Sequence, residues 1–164
     1  MPELQRLRTD HAPALLAFEQ ENRAYFAASI PDRGDAYFTD FAARLTDLLT
    51  EQAAGLCHFH LLVAPDGEVL GRFNLVDVAD GSADLGFRMA EKATRRGLAT
   101  ATVLHLCTLA ATEYGLTTLR ASAALDNTAS RTVLTRAGFV PTGEEVQLSE
   151  RPGLCYERST APRA

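Results

Sequence analysis

Apolar positions recur at three- and four-residue steps through the first fifty residues and then switch to short continuous runs, so the chain predicts helices first and strands afterwards. Over 12–26 (APALLAFEQENRAYF), Leu15, Leu16, Phe18, Tyr25 and Phe26 fall roughly at helical spacing, with Pro13 suited to the first turn. The turn SIPDRGD follows, and Tyr37, Phe38, Phe41, Leu45, Leu48 and Leu49 then mark a second helix over 35–53, with Gly55 as its left-handed cap. From Cys57 the period changes. LCHFHLLV and EVLGRFNLV flank the turn APDG and predict a hairpin, and ADLGFRM adds a third strand with Leu85, Phe87 and Met89 on one face. A helix apolar nearly all round, 98–114, runs to Gly115 and predicts packing on more than one side. TTLRASA is a strand, and DNTASRTVLTRAGF a shorter helix that starts at an Asn or Asp cap and stops at Gly138. FVPTGEEVQL and GLCYERS close the series as strands. The order is two helices, three strands, helix, strand, helix, two strands: an α/β (α+β) chain with a mixed sheet and a strand–helix–strand unit at its centre.

Length and composition restrict what such a chain does. With 164 residues and no linker, repeat or low-complexity segment apart from the polar tail STAPRA, one domain over 1–160 is expected, followed by a short tail at 161–164. Hydrophobic residues make up 46% and charged residues 23%, without an apolar stretch of membrane-spanning length or a secretory leader pattern, so the expected location is the cytoplasm. Cys57, Cys107 and Cys155 stand about fifty residues apart, which is neither a disulfide framework nor a CxxC metal pair. A formal net charge of -5 disfavours nonspecific nucleic-acid binding. Against that background Arg88, Lys92, Arg95 and Arg96, set against Glu91, form a local basic patch.

That patch contains TRRGLAT (94–100), where a strand passes through a basic, glycine-bearing turn into a helix. The first turn of a helix leaves N–H groups unpaired and adds partial positive charge, so such a turn suits phosphate. An ordinary turn also accounts for it. The GxxxxGK[ST] and GxGxxG spacings are missing, which removes support for nucleotide hydrolysis and dinucleotide redox chemistry.

About thirty residues downstream stands NTASRTVLTRAGF, carrying Asn127, Ser130, Val133, Gly138 and Phe139. Together with GEVLGRFNL and ADLGFRMAEKATRRGLAT, it resembles the acetyl-CoA-dependent N-acetyltransferases of the GNAT superfamily, and more narrowly their RimJ/RimL branch, which acetylates N-terminal amines of ribosomal proteins. The likeness covers 55–160 well and the first fifty residues loosely. It implies a GNAT fold, with a mixed twisted sheet of six to seven strands flanked by about four helices, acetyl-CoA as cosubstrate and no metal. It also implies that Arg95, Arg96, Gly97, Leu98, Ala99 and Thr100 wrap the pyrophosphate. Thr94 departs from the family's leading Gln or Arg. Phe87, Arg88 and Met89 would pair their main chain with the pantetheine arm and offer an N–H to the acetyl carbonyl. Asn127 would contact the pantetheine, and Ser130 would donate a proton to the leaving sulfur; taken alone, both residues read as a helix cap and its first turn. Val133, Leu134 and Phe139 are core in either reading.

Direct attack by an amine needs positioning, an oxyanion donor and a base. The candidate bases are Glu144, Glu145, Glu150 and Glu157, with Glu150 placed first because the branch carries a carboxylate nearby. His58 and His60 share a strand face without an evident third metal ligand, and His105 is expected to pack in its helix. Tyr25, Phe26, Tyr37 and Phe38 flank SIPDRGD and read as acceptor-groove residues or as core. The expected activity is transfer of an acetyl group to a primary amine, first a protein N-terminus, by a monomer or homodimer. A small-amine acetyltransferase and a noncatalytic acyl-CoA-binding module are the alternatives.

Overall fold

The chain was analysed as a computed structural model that describes residues 1–148 and 151–161. Seven strands are hydrogen-bonded in the order β1-β2-β3-β4-β5-β7-β6. They are β1 (Glu3–Arg6), β2 (His58–Val63), β3 (Val69–Ala79), β4 (Ser82–Met89), β5 (Thr118–Ala124), β6 (Val140–Leu148) and β7 (Arg151–Ser159). Among the described residues, six α-helices accompany them: α1 (Ala12–Glu21), α2 (Arg23–Ala27), α3 (Asp35–Thr39), α4 (Phe41–Ala53), α5 (Leu98–Thr112) and α6 (Thr128–Arg136). β4 and β5 run parallel, as a strand–helix–strand crossover requires, whereas the β1–β2, β5–β7 and β6–β7 pairs are antiparallel. The chain divides into two compact units, Met1–Asn74 with Phe87–Thr94 and Leu75–Gly86 with Arg95–Ala164.

In the first unit, each of the two predicted N-terminal helices is broken once. Asn22 interrupts the first, because its amide Nδ2 donates to Phe18 O at 2.9 Å and so competes for a carbonyl of the helix ladder. Its Oδ1 meanwhile accepts from Glu91 N–H at 3.0 Å, which ties the break to the segment after β4. Asp40 interrupts the second at φ -99°, ψ 20°. β1 was not foreseen: four residues are too few for alternation to register, and the strand is fixed by long-range pairing to β2 in the register Leu4 to Leu62. Gln52 on α4 fastens that edge. Its Nε2 donates to Leu7 O at 3.1 Å, and its Oε1 accepts from Phe59 N–H at 2.8 Å, so a buried polar side chain is satisfied at both ends. Leu15, Phe18, Phe59, Leu61 and Phe73 form the unit's core.

In the second unit, α5 buries one face rather than several. Thr102, Val103, Leu106, Cys107 and Ala110 are buried at three- and four-residue steps, while Leu104, His105 and Thr108 are exposed. The expectation of all-round packing is corrected, and so is that of a packed His105; alanines and threonines make a helix look apolar without requiring burial. Gly115 (φ 65°) ends the helix, and Leu116 N–H reaches back to Ala110 O at 2.9 Å. In α6, Leu134 is fully buried and Phe139 just beyond it is buried, but Val133 is only half-buried.

Candidate functional site

The turn 94–97 is shaped by two left-handed residues, Arg95 at φ 61° and Gly97 at φ 73°. Gly97 is the N-cap of α5 and supplies no side-chain cap. Ala101 N–H bonds to Gly97 O at 3.1 Å, so the N–H groups of Leu98, Ala99 and Thr100 lie at the helix mouth without an intrahelical partner. A Cβ placed on Gly97 would meet nothing within 4 Å, which leaves open space beside those donors. Arg95 and Arg96 are exposed and enter none of the described ion pairs. Left-handed backbone at a non-glycine residue costs about 1–3 kcal/mol and persists where surroundings or function require it. These residues therefore fit a bound pyrophosphate: open N–H groups, a helix dipole and two uncommitted guanidiniums.

The broader basic patch is corrected. Arg88 and Lys92 are committed elsewhere, Lys92 to Glu68 and Arg88 to Glu19.

In the same unit as the turn, Asn127 caps α6: its Oδ1 accepts from Ser130 N–H at 3.2 Å. The cap reading is therefore realised, and it uses only the backbone of Ser130. Arg131, one residue on, donates from Nε to the hydroxyl of buried Tyr156 at 3.2 Å and from Nη1 to Leu125 O at 3.0 Å. Glu144, Glu145 and Glu157 are exposed. Glu150 lies outside the described residues.

The first unit holds a charged cluster that sequence reasoning missed. Glu19 on α1 is 1% exposed and meets three guanidiniums: Arg33 Nε at 2.8 Å, Arg72 Nη1 at 3.2 Å and Arg88 Nη1 at 3.2 Å. Arg72 Nη1 also donates to Tyr37 OH at 3.2 Å, whereas its buried Nε has no partner among the described residues. Aromatic rings hold the cations in place, with Arg88 4.7 Å from the centre of Phe26 and Arg33 4.5 Å from that of Tyr37. Burial, reinforced by the charge of Arg33, pulls the Arg88 pKa down to about 10 against the opposing pull of Glu19. The sequence signal was a carboxylate on the buried face of α1, since Glu19 follows Leu15 by four residues and lies next to Phe18. Of the expected groove residues, Phe26 and Tyr37 are buried in this network, Phe38 is half-buried and Tyr25 is exposed.

Phe87 stacks on Phe73 with ring centres 5.8 Å apart, and Met89 is buried, its Sδ lying 2.6 Å from where a Cβ on Gly71 would stand. That approach accounts for a glycine inside β3. His58 lies with Nδ1 3.3 Å from Arg6, and burial, then the Arg6 charge, lowers its pKa. Among the described residues, no three His, Cys, Asp or Glu side chains are grouped to hold a metal. No described helix is long and apolar enough to cross a membrane.

Residues 3–140 match the family described as Acetyltransferase (GNAT) domain. No curated protein matches the chain. Among solved structures, the ribosomal-protein-S5-alanine acetyltransferase of Vibrio fischeri is similar with a TM-score of 0.89 at 16% identity, over 97% of this chain and 93% of that one. Mycobacterium smegmatis RimJ, in complex with a CoA disulfide, has a TM-score of 0.83 at 24% identity over 95% and 80%. RimL, the ribosomal L7/L12 α-N-protein acetyltransferase, in complex with coenzyme A, has 0.85 at 19% identity over 96% and 93%. With the family match spanning most of the sequence and the fold shared with RimJ- and RimL-type enzymes, the chain belongs to the GNAT family of acetyl-CoA-dependent acetyltransferases.

Proposed function

We propose that the protein acetylates the α-amine of a protein N-terminus in the cytoplasm, with residues 1–160 acting as one GNAT domain. The observation that carries the reading is the turn 94–97, with Gly97 left-handed at the mouth of α5 and three N–H groups open beside it. Arg95–Thr100 take the pyrophosphate of acetyl-CoA. Phe87, Arg88 and Met89 are assigned to the pantetheine and acetyl carbonyl, and Asn127 to the pantetheine. The Ser130 hydroxyl, which enters none of the hydrogen bonds of the described residues, is assigned to the leaving sulfur. Glu150 remains the first choice for the base that takes the amine's proton.

Chemistry and fold both favour an N-terminal acceptor. An α-amine with a pKa of ~8 is neutral far more often at pH 7 than a lysine of ~10.4, so it needs less help to attack a thioester. Two of the neighbours named above are ribosomal-protein acetyltransferases. The test is thiol release from acetyl-CoA with a panel of N-terminal peptides and small amines. Turnover on peptides with a free α-amine, and none when that amine is blocked, is expected; turnover confined to small amines overturns the N-terminal reading.

A further inference from the structure

The cluster around Glu19 is cationic beyond the needs of its own carboxylate. Arg33, Arg72 and Arg88 share the one carboxylate of Glu19, a surplus of two positive charges. Beside them Arg23 is bonded at 2.8 Å to both Asp32 and Asp35, a deficit of one, and Arg44 approaches the Tyr37 ring at 5.6 Å. Over the whole group cations therefore outnumber anions, in a chain whose net charge is -5. A recess opens onto this group, walled by Arg23, Phe26, Asp32, Arg33, Phe38 and Arg88 with Glu19 beneath, so that three guanidiniums face two carboxylates there.

An excess of one sign of charge held among buried groups is costly unless an opposite charge completes it. Glu19 is itself 1% exposed and has both oxygens engaged, Oε2 by Arg33 and Arg72 and Oε1 by Arg88, so it holds the guanidiniums rather than neutralising them all. Arg88 is 20% and Arg33 29% exposed, so both reach the recess with N–H groups that Glu19 does not use. Planar forks presented between aromatic walls suit a carboxylate, which takes paired N–H bonds from guanidinium. The unpartnered Nε of buried Arg72 is further sign that the network's donors exceed its acceptors. The lowered pKa of Arg88 agrees, since its charge is opposed by burial and by Arg33.

We infer that this recess binds a carboxylate of the acceptor, so that the preferred amine substrates carry an anionic group. The inference rests on the acetyltransferase reading for the word acceptor, and its test reads binding rather than turnover. Two sources supply that chemistry: an acidic side chain close to a peptide's N-terminus, or the main-chain carboxylate of an amino acid or dipeptide. Calorimetry on the protein saturated with CoA separates them with two matched pairs, Ser-Glu-Ala-amide against Ser-Gln-Ala-amide, and Ala-Ala against Ala-Ala-amide. The expected result is about ten-fold or more tighter binding of the carboxylate member in at least one pair, that is about 1.4 kcal/mol. A preference in the first pair alone assigns an acidic peptide, and in the second alone a small amino acid. Equal affinities within both pairs overturn the inference, whether or not thiol is released in the turnover assay. Arg33→Gln, the most exposed of the three, should bring the ratio to within about two-fold, and Arg88→Lys should reduce it by removing the fork while keeping the charge. A merely structural role would weaken both members of a pair alike, so a ratio unchanged in both variants also overturns the placement.

Discussion

Gly97 carries two demands at once, and they separate by substitution. Its φ of 73° disfavours any side chain by about 1 kcal/mol or more, yet no neighbour stands within 4 Å of an added Cβ. Steric conflict inside the protein is therefore absent, and what Gly97→Glu should damage is the anion site: a carboxylate beside the open N–H groups repels phosphate. CoA affinity is expected to fall by about a hundred-fold or more, roughly 3 kcal/mol, while the melting temperature drops by only about 2–4 °C for the roughly 1 kcal/mol of backbone strain. Unchanged affinity by calorimetry would refute the placement. Ser130 allows a cleaner separation, because it serves the α6 cap only through its N–H, which alanine retains. Ser130→Ala should lower kcat about a hundred-fold or more while leaving CoA affinity and melting temperature nearly unchanged, in the range of a lost proton donor. Unaltered turnover would return Ser130 to the cap alone.

At the scale of elements, periodicity located every long helix and six of the seven strands, because those segments bury a face through their own residue order. Where the reading failed, the deciding contact came from elsewhere in the chain. β1 exists through pairing with β2, and the Asn22 side chain that breaks the first helix is held at its other end by Glu91 N–H. The turn proposed to take the pyrophosphate could be singled out from the sequence because its residues are contiguous from Arg95 to Thr100. The Glu19 cluster was not, since Arg33, Arg72 and Arg88 come from three separate segments and only the misplaced carboxylate on the apolar face of α1 signalled it. The start of α1 holds a similar local device. His11 Nδ1 accepts from Arg8 N–H at 2.9 Å while Nε2 lies 2.9 Å from Gln5 Oε1, an arrangement that both bonds satisfy only in neutral imidazole. Burial, then the charge of Arg8, lowers the His11 pKa below the ordinary 6.5. The unfolded chain then binds a proton first, so stability present above pH 6.5 is lost progressively as pH falls from there through the lower folded pKa. The melting temperature is expected to drop between pH 7 and 5, by about 2–4 °C for each kcal/mol lost. His11→Gln keeps an acceptor for Arg8 without a titrating ring, and calorimetric scans across that pH range should show a shallower slope. An identical slope would remove His11 from the account, leaving His58, whose pKa is lowered in the same direction.

For the molecule as a whole, a net charge of -5 opposes the approach of an anionic cosubstrate, so recognition depends on where the cations stand rather than on how many there are. Two of the four cations in the stretch 88–96 are already paired, Arg88 with Glu19 and Lys92 with Glu68. Only Arg95 and Arg96 stand exposed and uncommitted beside the open N–H groups of α5. Their attraction acts within a screening length of about 10 Å at moderate ionic strength, whereas the repulsion of the acidic remainder is spread over greater distances and is screened first. Adding salt to the native protein should therefore weaken CoA binding less steeply than a wholly basic site would. The double variant Arg95→Gln, Arg96→Gln isolates the local component. Its affinity for CoA is expected to fall about a hundred-fold, because two exposed charge-assisted bonds at the lower end of about 1.5–3 kcal/mol each are lost while the backbone donors remain. Its salt dependence should flatten or reverse, since what is left is neutral donors within a net repulsive field. Calorimetry of CoA binding at low and high salt checks both parts, and a variant that keeps the native affinity would mean that the N–H groups alone hold the phosphates.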